Sequence, residues 1–240
     1  MALRTALLLL LSAVAAAAQQ RAFDNNLNAW LRYFGNHPVS ERWGMHLDLQ
    51  WRRHDLFSKW QQYVVWSGVN FELSDSVTLT AGYRFGESFP YGDFPSAGRV
   101  PEHRLFEQVS VRHDVSDRLS LSHRYRLEQR FNGRALPDAD EMDYRYQNRF
   151  RYQLAATTPL GDADGRWYAS FSEELLVHFG PNSADVFDQN RAFAGLGRKT
   201  GRWGRVEAGY LHQLIQQSSG LAYESNHTLR ISWLSSAPLR

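Results

Sequence analysis

The sequence predicts an all-β protein, a transmembrane antiparallel up-and-down β-barrel of about 10–12 strands. Three observations predict it: apolar and charged side chains alternate strictly, the strands are long, and the connections alternate between short turns and long loops. Successive side chains of a strand point to opposite faces, so alternation separates an apolar face from a polar one. A strand that crosses a bilayer needs about 9–11 residues and turns its apolar face toward lipid.

The first residues have the pattern of a secretory signal peptide, which we expect to span 1–18. Arg4 precedes an apolar run from Ala6 to Ala18 that ends in small residues. The run is too short for a comfortable transmembrane helix, and the alternative is an uncleaved amino-terminal anchor. We predict that 19–240 forms a single outer-membrane barrel domain. Because the chain has no cysteine, the exported protein must be stable without disulfides.

The same alternation recurs along the rest of the chain. In 117–131, leucine and aromatic residues occupy one face, and arginine, serine and glutamate occupy most of the other. The predicted strands number eleven: 25–34, 43–52, 63–73, 77–85, 103–115, 117–131, 144–154, 167–179, two strands that flank 199–201, and 226–234. Bacterial single-chain barrels have an even number of strands, so one strand is missed or added in this count and the expected number is ten to twelve.

The connections predict the orientation of the barrel. Tight turns are expected at 74–75, 116–117 and 199–201, and long loops rich in Gly, Pro, Asp and Asn at 87–101, 132–141 and 181–188. Short periplasmic turns and longer external loops are typical of outer-membrane barrels. The loop 87–101 either binds a partner or folds inward as a partial plug. The alternative fold, a secreted or periplasmic β-sandwich, has shorter strands than these.

The tryptophans lie mostly near the ends of the predicted strands. An indole placed there fits the membrane–water boundary, where its N–H stays hydrated. The alternative is that they are ordinary core aromatics. They are Trp30, Trp43, Trp51, Trp60, Trp66, Trp167, Trp203 and Trp233.

Four segments resemble the Gram-negative exported proteins grouped as domain of unknown function 2490. They are HRYRLEQRF at 123–131, YRYQNRFRYQL at 144–154, FDQNRAFAGLGRK at 187–199 and VEAGYLHQ at 206–213. The likeness covers nearly all of the chain after the predicted signal peptide. The resemblance implies an outer-membrane-type β-barrel without an agreed activity, and it identifies no catalytic residue.

The inward face of such a barrel is predicted to be rich in arginine. Buried charges must pair, stay hydrated or bind a ligand, because desolvation costs several kcal/mol per ion. An excess of guanidinium groups favours anions, which they bind through paired hydrogen bonds. The expected lumen residues are Arg124, Arg126, Glu128, Arg130, Arg145, Arg149, Arg151, Glu174 and Arg191, together with Asp48, Arg52 and Arg84.

We therefore expect an outer-membrane barrel that is a narrow, anion-favouring solute channel. Its expected partners are outer-membrane lipid and small anionic solutes or acidic oligosaccharides. Two alternatives remain open: a structural barrel whose lumen is closed by Arg–Glu pairs, and a hydrolase that modifies lipid or lipopolysaccharide. With 27 basic and 25 acidic residues, the near-balanced charge gives no indication of nucleic-acid binding.

No catalytic or cofactor motif stands out, so the sequence predicts a protein that is not an enzyme and has no cofactor or metal. His46 and His212 are expected to lie inside the barrel. The candidate groups for a hydrolase share no recognised spacing: Ser122 with His123, Ser172 with Glu174 and His178, and Asn226 with His227.

Overall fold

The structure is a computed structural model that describes residues 22–96, 98–135, 142–162, 165–183, 185–217 and 219–238; the predicted signal peptide lies outside these ranges. The described chain forms eleven strands: β1 (Ala22–Pro38), β2 (Trp43–His54), β3 (Lys59–Ser74), β4 (Val77–Ser88), β5 (Val100–Ser116), β6 (Leu119–Ala135), β7 (Met142–Pro159), β8 (Trp167–Phe179), β9 (Phe187–Lys199), β10 (Arg205–Gln216) and β11 (Ala222–Ser235). A short 3-10 turn at Gly201–Trp203 joins β9 to β10. Within these ranges, no helix is long and apolar enough to span a membrane.

The strands form one closed up-and-down barrel in which each strand pairs with its neighbour in sequence. These sequential pairs are antiparallel, and the barrel closes through a parallel pair between β1 and β11, from Ala22 opposite Ala222 to Gly35 opposite Ser235. The predicted fold class is confirmed, and closure excludes the β-sandwich. The described chain has eleven strands, so the expectation of an even number is wrong. With an odd number of strands in up-and-down order, the first and last strands run in the same direction, and the closing pair is therefore parallel.

The barrel is apolar outside and charged inside. On β5, Leu105 and Val109 point outward and are 51% and 39% exposed. On β6, Tyr125 points outward, whereas Arg126 and Glu128 point inward and are 2% and 0% exposed. A protein in water has the opposite arrangement, because apolar burial is the main favourable term in folding. The outer surface therefore has the composition of a lipid-facing surface.

The two ends of the barrel differ in their connections. The turns that follow β1, β3, β5, β7 and β9 lie at one end, which we call the short-turn end. The connections that follow β2, β4, β6, β8 and β10 lie at the other, the long-loop end. All three predicted tight turns are at the first end, and the predicted long loops 87–101 and 181–188 are at the second. Of the third predicted loop, 132–141, residues 132–135 belong to β6 and residues 136–141 lie outside the described residues.

Six of the tryptophans lie on the outside of the barrel or in its turns, each at least 39% exposed: Trp43, Trp51, Trp60, Trp167, Trp203 and Trp233. Trp30 and Trp66 instead point into the lumen and are buried, so the boundary expectation is wrong for these two. Trp66 packs there with Val64 and Phe106. Phe106 fits because Gly82 has no side chain; a Cβ there would lie 2.8 Å from a Phe106 ring carbon.

A charge on the outward face is expected to destabilise the barrel in lipid. We predict that Val109→Lys, in the middle of β5, lowers the free energy of unfolding by about 2–4 kcal/mol in phosphatidylcholine vesicles. The same change at Val39, an exposed residue of the β1–β2 turn, should cost about 0–1 kcal/mol. Urea titration followed by tryptophan fluorescence measures both. Equal losses for the two variants would contradict a lipid-facing outer surface.

Candidate functional site

The lumen encloses a cavity of ≈ 290 Å³ whose wall is dominated by arginine. Three carboxylates line it, those of Asp48, Glu102 and Glu174. Three more, those of Glu128, Asp188 and Glu207, lie near the wall arginines and interact with them. The eleven lining arginines exceed these six carboxylates by five charges: Arg32, Arg52, Arg84, Arg104, Arg124, Arg126, Arg130, Arg149, Arg151, Arg191 and Arg230.

Strand alternation and register bring these charges together. On β6, the residues from Arg124 to Arg130 place four charged groups at every second position, all on the inward face. The antiparallel register sets Arg126 opposite Arg151 and Glu128 opposite Arg149 on β7. The central carboxylate thus lies among guanidinium groups from neighbouring strands.

Glu128 is the most enclosed carboxylate of this network. Its Oε2 accepts from Arg149 at 2.6 Å and from Arg104 at 3.0 Å, and its Oε1 accepts from Arg151 at 2.8 Å. Hydrogen bonds between charged groups are about twice as strong as neutral ones, and a buried charge is tolerated only with such partners. One carboxylate therefore holds arginines from β5 and β7 around β6.

Glu102 on β5 is shared in the same way. It accepts from Arg84 of β4 at 2.7 Å, from Arg104 on its own strand at 2.6 Å, and from Arg130 of β6 at 2.6 Å. Since Arg104 also binds Glu128, the two glutamates belong to one continuous network.

Glu174 on β8 extends the network across the lumen. It contacts Arg151 at 2.6 Å, Arg124 at 2.7 Å and Arg191 at 3.5 Å. Arg151 also binds Glu128, so three glutamates hold seven arginines together. The network spans β4 to β9 and fixes their inward side chains.

Two arginines of the cavity wall stand outside this pairing, the buried Arg126 and the half-buried Arg52. Within the described residues, no carboxylate lies within 4.0 Å of Arg126 or Arg52. Arg126 donates from Nε to Gln108 at 2.9 Å and lies 4.4 Å over the Trp66 ring and 4.8 Å over the Phe106 ring. An amide oxygen and aromatic faces satisfy its hydrogen bonding only in part and leave its charge uncompensated.

Arg52 has an equivalent environment on the other side of the cavity. It donates to the amide oxygens of Gln50 and Gln62, the latter at 2.8 Å, and its guanidinium lies 3.9 Å over the Trp30 ring. Both arginines thus combine amide partners with an indole face. Neither arginine has a carboxylate partner among the described residues.

Eight of the nine main predicted lumen residues lie where the sequence analysis placed them; Arg145 lies on the inward register of β7 but beyond the cavity. It is exposed at the long-loop end and donates to the Asn182 carbonyl at 2.8 Å. Glu102 and Arg104 were missed, although the alternation of β5 carries the signal that would have found them. The eight are Arg124, Arg126, Glu128, Arg130, Arg149, Arg151, Glu174 and Arg191, and Asp48, Arg52 and Arg84 also line the lumen.

The structure separates the residues considered for hydrolysis. None of these combinations forms a serine–histidine or asparagine–histidine hydrogen bond in the described chain: Ser122 with His123, Ser172 with His178, and Asn226 with His227. His178 instead contacts Arg130 at 2.9 Å and Asp188 at 3.5 Å. His46 lies inside as expected, but His212 lies on the outward register of β10, so that expectation is wrong. Over the described ranges, no group of three or more His, Asp or Glu side chains is arranged to hold a metal.

The loop between β4 and β5 folds inward over the long-loop end of the lumen. Tyr91 lines the cavity, donates from its hydroxyl to Glu224 Oε2 at 2.6 Å, and packs against His54 at 5.3 Å between ring centroids. The backbone N–H of Asp93 donates to Asp24 at 2.8 Å. Of the two alternatives for this loop, the structure shows the inward plug.

The geometry of this loop is tightly constrained. Gly92 has φ of +66°, and a Cβ there would lie 2.3 Å from Asp24 Oδ2, so only glycine fits without rearrangement. Burial raises the pKa of the Tyr91 phenol above its ordinary value, and the Glu224 carboxylate raises it further. The hydroxyl therefore stays protonated and able to donate.

Removing the charge of Glu128 is expected to destabilise the barrel strongly. Glu128→Gln leaves three arginines around a neutral amide, and breaking a buried pair in this way costs about 3–5 kcal/mol. Urea titration in detergent micelles measures the loss. The matched control is Glu41→Gln in the exposed β1–β2 turn, which should change stability by under about 0.5 kcal/mol. A Glu128→Gln variant as stable as wild type would show that the network contributes little.

Comparison with known proteins places the chain in a family. No curated protein matches the sequence. A solved structure described as "NanC porin structure in rhombohedral crystal form" aligns with a TM-score of 0.46 and 12% identity over 83% of this chain and 93% of that chain. The profile of the family described as "Protein of unknown function (DUF2490)" matches residues 27–224. The closed barrel with its arginine-lined lumen therefore belongs to the DUF2490 family.

Proposed function

We propose that this protein is an outer-membrane β-barrel that binds small anionic solutes in its lumen and conducts them in preference to cations. The observation that carries the proposal is the uncompensated positive charge of the cavity wall, concentrated at Arg52 and Arg126. A buried charge without a counter-ion is costly, so an anion that enters the lumen is stabilised by supplying the negative charge that these arginines lack. Guanidinium groups bind carboxylates through two parallel hydrogen bonds, which makes carboxylates the preferred class.

Unused donors in the lumen support an anionic ligand. The Nε groups of Arg84, Arg124 and Arg230 and the Nε1 group of Trp66 are buried and have no acceptor in the described chain. Buried polar groups are hydrogen-bonded in the large majority of cases, so four free donors around one cavity call for acceptors from outside. Carboxylate and hydroxyl oxygens of a sugar acid supply them.

The size of the cavity limits the solute. A volume of ≈ 290 Å³ is at the lower end of ligand pockets, which occupy about 300–1,000 Å³. A single sugar acid, or the terminal unit of an acidic oligosaccharide, fits better than a longer chain. The indoles of Trp30 and Trp66 add apolar surfaces against which the ring of such a solute can pack.

The exterior and the amino-terminal sequence support an outer-membrane location. The outward face is mostly apolar, with exposed tryptophans near strand ends, and 1–18 has the pattern of a signal peptide. Outer-membrane lipid is then the partner of the whole outer surface.

A structural barrel with a closed lumen is the second candidate. The observation in its favour is the network of three glutamates and seven arginines, which fills much of the interior. The two functions differ in one measurement, because a closed lumen carries no current whatever its charge.

The decisive experiment is ion conductance of the refolded protein in planar bilayers under a potassium chloride gradient. We expect discrete channel openings whose reversal potential lies near the equilibrium potential of chloride. Gluconate or galacturonate should block these openings. In Arg52→Gln/Arg126→Gln, the dissociation constant of the blocker should rise at least about tenfold, because hydrogen bonds to charged groups contribute about 1.5–3 kcal/mol each.

The control for this experiment is Arg42→Gln/Arg118→Gln, which removes the same charge from exposed turns at the short-turn end. Gluconate or galacturonate should block this variant with the same dissociation constant as wild type. Cation selectivity, or equal weakening in both double variants, would refute binding at Arg52 and Arg126. A membrane-inserted protein without conductance would establish the closed barrel instead.

The inward loop is expected to limit access to the cavity. Tyr91→Phe removes the hydroxyl that donates to Glu224 and leaves this carboxylate with amide partners. We predict that the variant opens more often, with at least a twofold higher open probability in the same bilayer recordings. Tyr125→Phe is the matched control on the outward face of β6. An unchanged open probability would mean that the loop does not gate the lumen.

A further inference from the structure

A polar stripe interrupts the apolar exterior on β8 to β11, near the long-loop end of the barrel. Its members are outward-facing, in contrast to the leucine, valine and aromatic side chains that cover most of the outside. We call this set the outer stripe: Glu173, Asn190, Tyr210, His212, Ser225 and His227. Polar groups on a lipid-facing surface are unfavourable, so six together require a reason.

Ser225 and His212 form a hydrogen-bonded pair within the outer stripe. Ser225 Oγ lies 3.1 Å from His212 Nε2, and both side chains are partly accessible. The register of β10 and β11 sets His212 opposite His227 and Leu214 opposite Ser225, so Ser225 and His212 are diagonal neighbours on one face. A serine in contact with an imidazole nitrogen is the basic requirement of an activated nucleophile.

A carboxylate lies on the other side of His212. Glu173 on β8 and His212 on β10 both pair with Ala192 of β9, so they flank it two strand spacings apart, about 10 Å between backbones. Between them, Ala192 carries only a methyl group. Asn190 donates to Glu173, and His212 Nδ1 has no hydrogen-bond partner in the described chain. That nitrogen is free to donate to Glu173.

His227 supports the pair from the side. Its ring lies 5.4 Å from that of His212 between centroids, and its Nδ1 is 2.6 Å from the Tyr210 hydroxyl. The contact with Tyr210 fixes the His227 ring, which in turn limits the orientations open to His212. His227 is thus a positioning residue.

The Ser225–His212 pair of the outer stripe lies toward the long-loop end of the barrel. Ser225 is the fourth residue of β11 and His212 is four residues before the end of β10, both close to the long-loop end. At the same end, Phe23 and Tyr223 stack on the outside at 5.5 Å, as aromatics do at a membrane–water boundary. Lipid acyl esters lie at this boundary, between headgroup and chains.

From this geometry we propose that the outer stripe is a serine-hydrolase site that cleaves acyl ester bonds of membrane lipids, an activity separate from solute binding in the lumen. Ser225 Oγ attacks the ester carbonyl carbon while His212 Nε2 takes its proton. The tetrahedral intermediate expels the alcohol, which receives that proton, and leaves an acyl-Ser225 ester. Water, deprotonated by His212, then releases the fatty acid and restores the serine.

Two further residues have defined roles in this reaction. Glu173 stabilises the imidazolium that forms on His212. Asn25 lies directly opposite Ser225 on β1 and is exposed, so its amide is placed to donate to the oxyanion.

The test uses the full-length refolded protein in vesicles of phosphatidylethanolamine and phosphatidylglycerol. A fluorophosphonate probe should label wild type at Ser225, and fatty acid should be released from the vesicles. Ser225→Ala should abolish both, and His212→Gln should lower both by at least about a thousandfold. Ser67→Ala, an exposed serine on the outward face of β3, is the control and should behave as wild type.

Glu173→Gln distinguishes catalysis from a structural role. It should reduce the turnover of acyl-Ser225 by about tenfold or more while leaving the urea midpoint unchanged, because Glu173 acts only on the charged imidazole. The proposal is overturned if wild type is not labelled, if the label maps to another serine, or if Ser225→Ala still releases fatty acid. Each of these outcomes is independent of whether the lumen conducts.

Discussion

The structure depends on the sharing of three buried glutamates among seven arginines. A barrel of this diameter is filled by its own side chains, and here the filling is charged rather than apolar. Glu128 alone holds Arg104, Arg149 and Arg151, which come from two different strands. Removing any one of these carboxylates leaves guanidinium groups in a low-dielectric interior, where an unpaired charge costs several kcal/mol. The network therefore links strand pairing to the charges of the lumen, because each glutamate binds arginines from neighbouring strands and those strands hold the charges in contact.

The same network explains where the lumen can bind a ligand. Arginines outnumber carboxylates in the cavity wall, so Arg52 and Arg126 are left without a carboxylate partner. At these two positions the protein supplies amide oxygens and indole faces, which are weaker partners for a cation than a carboxylate. The proposed binding of anions and the filling of the lumen by side chains would thus both follow from one charge distribution. The loop that carries Tyr91 lies over this region and is held by carboxylates of β1 and β11, beside the parallel closing pair.

The two faces of the strands have separate tasks. The inward face carries the charge network. The outward face is mostly apolar, and its polar side chains include Glu107 and Gln129, which are hydrogen-bonded to each other, and the outer stripe, where Ser225 and His212 come into contact. Neighbouring residues on one strand illustrate the separation: Glu174 is bound by arginines in the lumen, while Glu173 faces outward toward Asn190. The proposed solute binding and the proposed lipid hydrolysis therefore share no side chain and can be altered independently.

Much of this fold is determined by local sequence patterns. Period-two alternation determined the strands, the apolar exterior, the charged interior and the two kinds of connection, because side-chain direction on a strand depends only on the neighbouring residues. The family resemblance agreed with that reading, and the match over residues 27–224 confirmed it. Only the tertiary structure decided the rest: the parallel closure, the burial of Trp30 and Trp66, the outward position of His212, and the division of arginines into paired and unpaired. These depend on register between strands, on register shifts such as that at Arg52/Arg53, and on contacts such as that of Arg124 with Glu174, which join distant parts of the chain. Alternation fixes the face of a side chain, but it carries no information about which side chain lies opposite.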